Sequence, residues 1–153
     1  MACLGLRCST KEFFYIVLSG SREKPVIEAK GRIKFPEEFS LAHRLQWFLK
    51  ELEDIGKKDE IESIAIKGTE AMARRGPSYK PRVEAEAMIY LFAANSGISD
   101  IFQKVKATIA KDLGLKGVGK YLSTKLDCSP IVGYEEISDS MKEACLVAWS
   151  TLK

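Results

Sequence analysis

Hydrophobic and polar positions along the first part of the chain repeat with the short period of β-strands. Residues 2–8 (ACLGLRC) are apolar except for Arg7, and residues 12–19 (EFFYIVLS) are rich in β-branched and aromatic side chains. Both stretches read as strands. Ser9, Thr10 and Lys11 form a link short enough for a hairpin. A turn signal over residues 20–25 (GSREKP) precedes a third strand over residues 26–35. There, Val26, Glu28, Lys30, Arg32 and Lys34 share one face, and Ile27, Ala29, Gly31, Ile33 and Phe35 share the other. One polar and one apolar face predict an outer strand.

The period then lengthens. Pro36, Glu37 and Glu38 suit the first turn of a helix. Leu41, Leu45, Phe48, Leu49, Leu52 and Ile55 follow at helical spacing, and Gly56 with the lysines after it marks a stop. Residues 61–66 are a nearly continuous apolar run, as expected of a central parallel strand. A helix is predicted over residues 81–96, closed by Gly97, then a short strand over 100–105 and a short helix over 106–113 that ends at Gly114. Residues 121–136 show no clear period. Ser138 is placed to cap a last helix, with Asp139 in its first turn and Met141, Ala144, Cys145, Ala148 and Leu152 as its main stripe.

This order, three strands and then alternating helices and strands, predicts an α/β fold. Its core is a mixed five-stranded sheet, antiparallel first and parallel afterwards, flanked by helices. The chain of 153 residues, 46% hydrophobic and 29% charged, fits one domain over residues 1–153. The net charge of +3 is too small to argue for nucleic acid by itself. No apolar run is long enough to span a membrane, and no secretory leader is legible, so a cytoplasmic protein with no membrane partner is expected. The four cysteines, at positions 3, 8, 128 and 145, form no C-x-x-C pair, and His43 is the single histidine. Reduced, buried thiols are expected rather than a zinc set or a nucleophilic triad. His43 reads as a surface residue, and Trp47 and Trp149 as helix-packing side chains.

Three short motifs resemble the RuvC-like branch of the ribonuclease H-like superfamily. Residues 4–10 (LGLRCST) resemble its first strand, an apolar-Gly-apolar-Asp segment followed by small residues. Residues 64–67 (IAIK) resemble its fourth strand, which usually ends in glutamate. Residues 143–148 (EACLVA) resemble its last helix, which carries Asp-Ala before an apolar run. The AIK segment, with GPSYK at 76–80 and the Glu-rich helix after it, is similar to an uncharacterised bacterial RuvC-like family that has no activity to transfer. The resemblance implies a ribonuclease H-like fold whose enzymes hold divalent cations between carboxylates. At the implied positions this chain has Arg7, Lys67 and Glu143, so only the last keeps an acid. The expectation is a degenerate, catalytically inactive site with no cofactor. The alternative is a magnesium-dependent nuclease or resolvase that recruits Glu70 and Asp139 beside Glu143.

Arg7, Lys67 and Glu143 are expected to meet, either as an internal ion pair that replaced a metal site or as a site for a phosphate. Residues 71–82 form the other candidate. Arg74, Arg75, Lys80 and Arg82 carry no acid among them, Gly76 and Pro77 set a turn, and Tyr79 offers a ring for stacking. Arginine forks near a helix start suit phosphates. The loop is therefore read as a phosphate or nucleic-acid contact, against the plainer reading of a solvated loop facing Glu84 and Glu86. There is no Walker pattern and no G-x-G-x-x-G. Nucleic acid, a protein partner and a homodimer all remain open as partners.

Overall fold

The computed structural model describes residues 2–153. The strands β1 (Ala2–Cys8), β2 (Glu12–Gly20) and β3 (Pro25–Lys34) form an antiparallel meander, and β4 (Ser63–Lys67) and β5 (Asp100–Lys104) complete a sheet of order β3-β2-β1-β4-β5. β1 pairs with β4 in parallel, as β4 does with β5. This is the mixed five-stranded sheet that the period changes predict. β3 lies at the edge with its alternate residues exposed, so its charged face is turned to solvent.

Strand alternation divides the core between the two faces of the sheet. Leu4, Leu6 and Cys8 of β1, with Ile64 and Ile66 of β4, face helices α1 (Leu41–Lys58) and α2 (Tyr79–Ser96). Phe13 fixes α1 to that face, with its ring centroid 4.6 Å from Phe48 and 5.9 Å from Phe35. On the opposite face Cys3, Phe14, Ile16, Leu18 and Ala65 pack against α5 (Asp139–Trp149) and Ile109 of α3 (Lys106–Asp112). α5 is buried nearly all round, which explains why Leu146, Val147 and Trp149 are as covered as its main stripe.

Several predicted boundaries move, each for a local reason. Pro36, Glu37 and Glu38 do not open α1. Ser40 caps that helix instead, accepting from the backbone N–H of His43, and residues 36–39 form the approach to it. Gly56 does not stop α1, which runs on to Lys58. The glycine is there for contact with α2, since a Cβ would lie 2.9 Å from the Phe92 ring. α2 starts at Tyr79, two residues before Pro81, and Gly97 ends it in the left-handed conformation at φ 70°. Ser138 caps α5 through the N–H of Met141, as expected. The stretch without a period contains the short helix α4 (Tyr121–Thr124) and a 3-10 turn (Tyr134–Glu136).

The closest approach in the fold is at Gly5. A Cβ built there would lie 2.2 Å from the carbonyl oxygen of Ala144 and 2.8 Å from the Ala148 side chain. α5 therefore rests directly on the backbone of β1. A Gly5→Ala variant must push the helix away, because the clash is with backbone rather than with a side chain that can rotate. We expect a loss of about 2–3 kcal/mol in urea denaturation, within the overpacking range. A loss under about 0.5 kcal/mol, the level of an ordinary surface change, would show that α5 can lift without cost.

Candidate site at the strand ends

Leu6 and Ile66 are register partners across β1 and β4, so the residues that follow them, Arg7 and Lys67, stand side by side where the parallel strands end. Strand alternation turns both toward α5. Helix contact at Gly5 then brings Glu143, the residue before Ala144, over Arg7. The Arg7 guanidinium Nε donates to Glu143 Oε2, with both side chains about three-quarters buried. Lys106 Nζ approaches the other carboxylate oxygen at 3.6 Å.

Lys67 does not join that pair, contrary to expectation. It is 3% exposed, and its Nζ donates to the Gly68 carbonyl at 2.7 Å and to Glu70 Oε1 at 2.9 Å. The Gly68-Thr69-Glu70 turn curls the acid back to the lysine before Arg7's partner is within reach. Glu70 Oε1 also accepts from the Lys106 backbone N–H at 2.9 Å. The site is thus two linked pairs, Arg7 with Glu143 and Lys67 with Glu70, joined through Lys106. Lys106 itself carried no sequence signal, since a lysine opening a short helix is unremarkable. Glu70 was legible by its spacing, but as a metal ligand rather than as a counterion.

A cleft of about 710 Å³ opens over these pairs. Lys67, Lys106 and Glu143 line it, together with Asp139, Lys120, Lys142 and apolar side chains from α3, α4 and α5. Residues 119–135, most of them in the stretch without a period, supply one of its walls.

The loop cations separate into two groups. Arg74, Arg75 and Lys80 are exposed on the 3-10 turn (Ala71–Arg75) and the start of α2. Lys80 lies 3.9 Å from Glu84, and Arg74 Nε donates to the Thr69 carbonyl at 3.4 Å. Tyr79 is half-buried beside them. Arg82 belongs to α2 rather than to the loop. It is half-buried and donates to the Lys67 carbonyl at 3.3 Å, so it braces the end of β4. Burial, with Arg7 nearby, pushes its guanidinium below the ordinary value. Glu86, one turn further along, is 4% exposed, and burial raises its carboxyl although Arg82 and Lys67 oppose this. Its placement under the loop follows from the four-residue spacing to Arg82.

His43 is exposed on α1, where its ring meets the Ser40 hydroxyl at 3.0 Å. All four cysteines are buried free thiols. Burial raises Cys3, Cys8 and Cys128, and raises Cys145 to about 12, which removes them as nucleophiles.

No family model and no curated protein matches this sequence. Solved structures do match it. Thermus thermophilus RuvC superimposes with a TM-score of 0.75 at 10% identity, over 98% of this chain and 92% of that one. T. thermophilus RuvC in complex with Holliday junction substrate gives 0.73 at 12% identity, over 98% and 91%. The yeast mitochondrial Holliday junction resolvase Ydc2 gives 0.63 at 17% identity, over 97% and 76%. The fold is therefore the RuvC type of the ribonuclease H-like class.

That class implies divalent cations, and the residues here do not fit them. Magnesium needs hard oxygen donors. Two of the three implied positions present a guanidinium and an ammonium, and Glu143 is already bound by Arg7. Glu70 is held by Lys67, and among the described residues no three His, Cys, Asp or Glu side chains are grouped to hold a metal ion.

The Glu70 carboxyl gives the site its pH dependence. Burial pushes it up, but the Lys106 N–H and the Lys67 ammonium more than offset this and hold it below the ordinary range. An acid with a depressed folded-state value stabilises the fold while ionised, and the gain disappears as pH falls through that value. We expect Glu70→Gln to lose about 1–2 kcal/mol near neutral pH, a figure kept small by partial exposure of the carboxylate. The gap should narrow as urea titrations are taken to acid pH, through the carboxyl's lowered folded-state value. A gap independent of pH would mean that the charge of Glu70 is not what holds Lys67.

Proposed function

We propose that this chain is a non-cleaving RuvC-fold protein that holds nucleic acid by its phosphate backbone through the loop of residues 71–82. The observation that carries this reading is the reversal of charge at the strand ends, Arg7 and Lys67 where acids are implied, with exposed Arg74, Arg75 and Lys80 alongside. A cationic edge attracts phosphate where a metal site would need anions. Tyr79 adds a ring on which a base can stack. The fold it shares with a RuvC solved on Holliday junction substrate supports a nucleic acid as the partner. Arg7, Lys67 and Arg82 act beneath this surface, bracing the strand ends from which the loop departs.

Binding through a few exposed cations is modest, salt-sensitive and weakly sequence-specific. The three loop cations should give a slope of log affinity against log salt of about −2 to −3. Replacing Arg74 and Arg75 by alanine should flatten that slope by about 1.5 units with no change in melting temperature. Arg7→Ala should do the opposite, lowering stability by about 1–3 kcal/mol because it leaves Glu143 with Lys106 alone. Titrations against single-stranded, duplex and branched DNA and RNA measure both. No binding at ~50 mM salt, where electrostatic association is strong, would move the role to protein association through Val83, Tyr90 and Leu91, which are exposed on α2.

The same preparations should show no cleavage of branched DNA, duplex DNA or RNA–DNA hybrid with magnesium or manganese. Metal-dependent cleavage that disappears in Glu143→Gln would restore the nuclease reading with Glu70, Asp139 and Glu143 as ligands.

A further inference from the structure

The cleft above the two ion pairs is built in a way that the loop surface does not explain. One end of it is cationic and partly unsatisfied. Lys67 is 3% exposed, and two of its three N–H groups are taken by Gly68 and Glu70. The ammonium has a third N–H, and Lys67 lines the cleft. Glu70 Oε1 binds both Lys67 and the backbone of Lys106, so one oxygen atom draws these two residues together. Gly119 then packs on Lys106, where a Cβ would come within 2.9 Å of the lysine's own Cβ. That close approach brings the next residue, Lys120, to the same rim. The facing wall is apolar and includes Ile109, Leu122, Leu126 and Leu146.

The lining acids cancel this charge only in part. Glu143 is shared between Arg7 beneath it and Lys106 at 3.6 Å, Lys67 is paired with Glu70, and Glu135 pairs with Lys142 at 3.4 Å, which leaves Lys120 without an ion pair among the described residues. Asp139 is left without an ion pair among the described residues, which disfavours a second anionic group near the first turn of α5. A cationic guest would face three ammonium groups. A neutral apolar guest would leave the Lys67 N–H unpaired, at a cost. A bare phosphate would leave the leucine wall uncovered.

We infer that this cleft binds a phosphate monoester with an apolar or aromatic body, its phosphate against Lys67, Lys106 and Lys120 and its body against Ile109, Leu122, Leu126 and Leu146. The site does not depend on the nucleic-acid surface, which uses other residues.

The test is a titration of the full chain with phenyl phosphate, following the methyl signals of Leu122, Leu126 and Leu146 by NMR. Inorganic phosphate and phenol are the controls. The leucines should shift together with a dissociation constant of roughly 1 mM or below, reasonable for a ligand of that size. Each control should bind at least about tenfold more weakly, since each lacks one half of the contact. Lys67→Met alters a buried charge and puts the fold at risk, so Lys106→Ala, at a half-exposed side chain, carries the mutational test. It should weaken phenyl phosphate about tenfold.

Shifts confined to other parts of the chain would overturn the inference, as would unchanged binding in Lys106→Ala. Equal affinity for inorganic phosphate would mean an adventitious ion only. A single-stranded oligonucleotide lacking terminal phosphates provides the last arm. If it expels phenyl phosphate from the leucine wall, the cleft belongs to the diesters of a strand and the monoester site is wrong. If it binds while phenyl phosphate stays, there are two sites, as inferred.

Discussion

Helix α5 lies on strand β1 with no side chain between them at Gly5, and much else follows from that contact. It sets the height of the helix above the sheet and so decides which residues of α5 can reach a strand end. It allows Ala144 and Ala148 to be fully covered, and it makes α5 the main helix on that face of the sheet, beside Ile109 of α3. The turn between β2 and β3 is tied to the same helix, since Trp149 Nε1 donates to the Arg22 carbonyl at 2.8 Å and Arg22 reaches the Ser150 carbonyl. A lateral slip of α5 would therefore disturb the meander as well as the site.

The same contact imposes an electrostatic demand. Arg7 and Lys67 end adjacent parallel strands and point to one side, where two cations in a low-dielectric setting repel. The chain resolves this by giving each its own acid from a different element. Glu143 comes from the helix above and Glu70 from the turn just beyond β4. Lys106 links the two pairs and fastens the start of α3 to them. Burial of Lys67 is tolerable because its partner is local and arrives with the strand itself, without waiting for distant packing.

The sheet was legible because its signals are local and repeated. β3 alternates over ten residues, and residues 61–66 are a nearly continuous apolar run. α5 was legible from Ser138 and its stripe, although a helix buried all round shows little contrast between faces. Gly56 was misread because a glycine within a helix and one at its end look alike until the partner, Phe92, is in place. The pairing of Arg7 with Glu143, 136 positions apart, came through resemblance and could not come from spacing. Lys67 was assigned the wrong acid because the curl of a four-residue turn is not written in composition. Residues 121–136 lacked a clear period because they pack as isolated anchors, Leu122, Leu126 and Tyr134, along a wall rather than as a face.

The linked pairs also constrain how such a site can change over generations. Suppose Arg7 alone became an acid. It would meet Glu143 as a like charge, with only Lys106 to offset the pair. An acid at position 67 alone would face Glu70 in the same way, from a buried position. Each single step toward a carboxylate cluster thus passes through a repelled, destabilised intermediate, and the two changes are favourable only together, in the presence of a cation. The two ion pairs act as a ratchet: while each cation holds its own counterion, neither position can become an acid alone without that penalty.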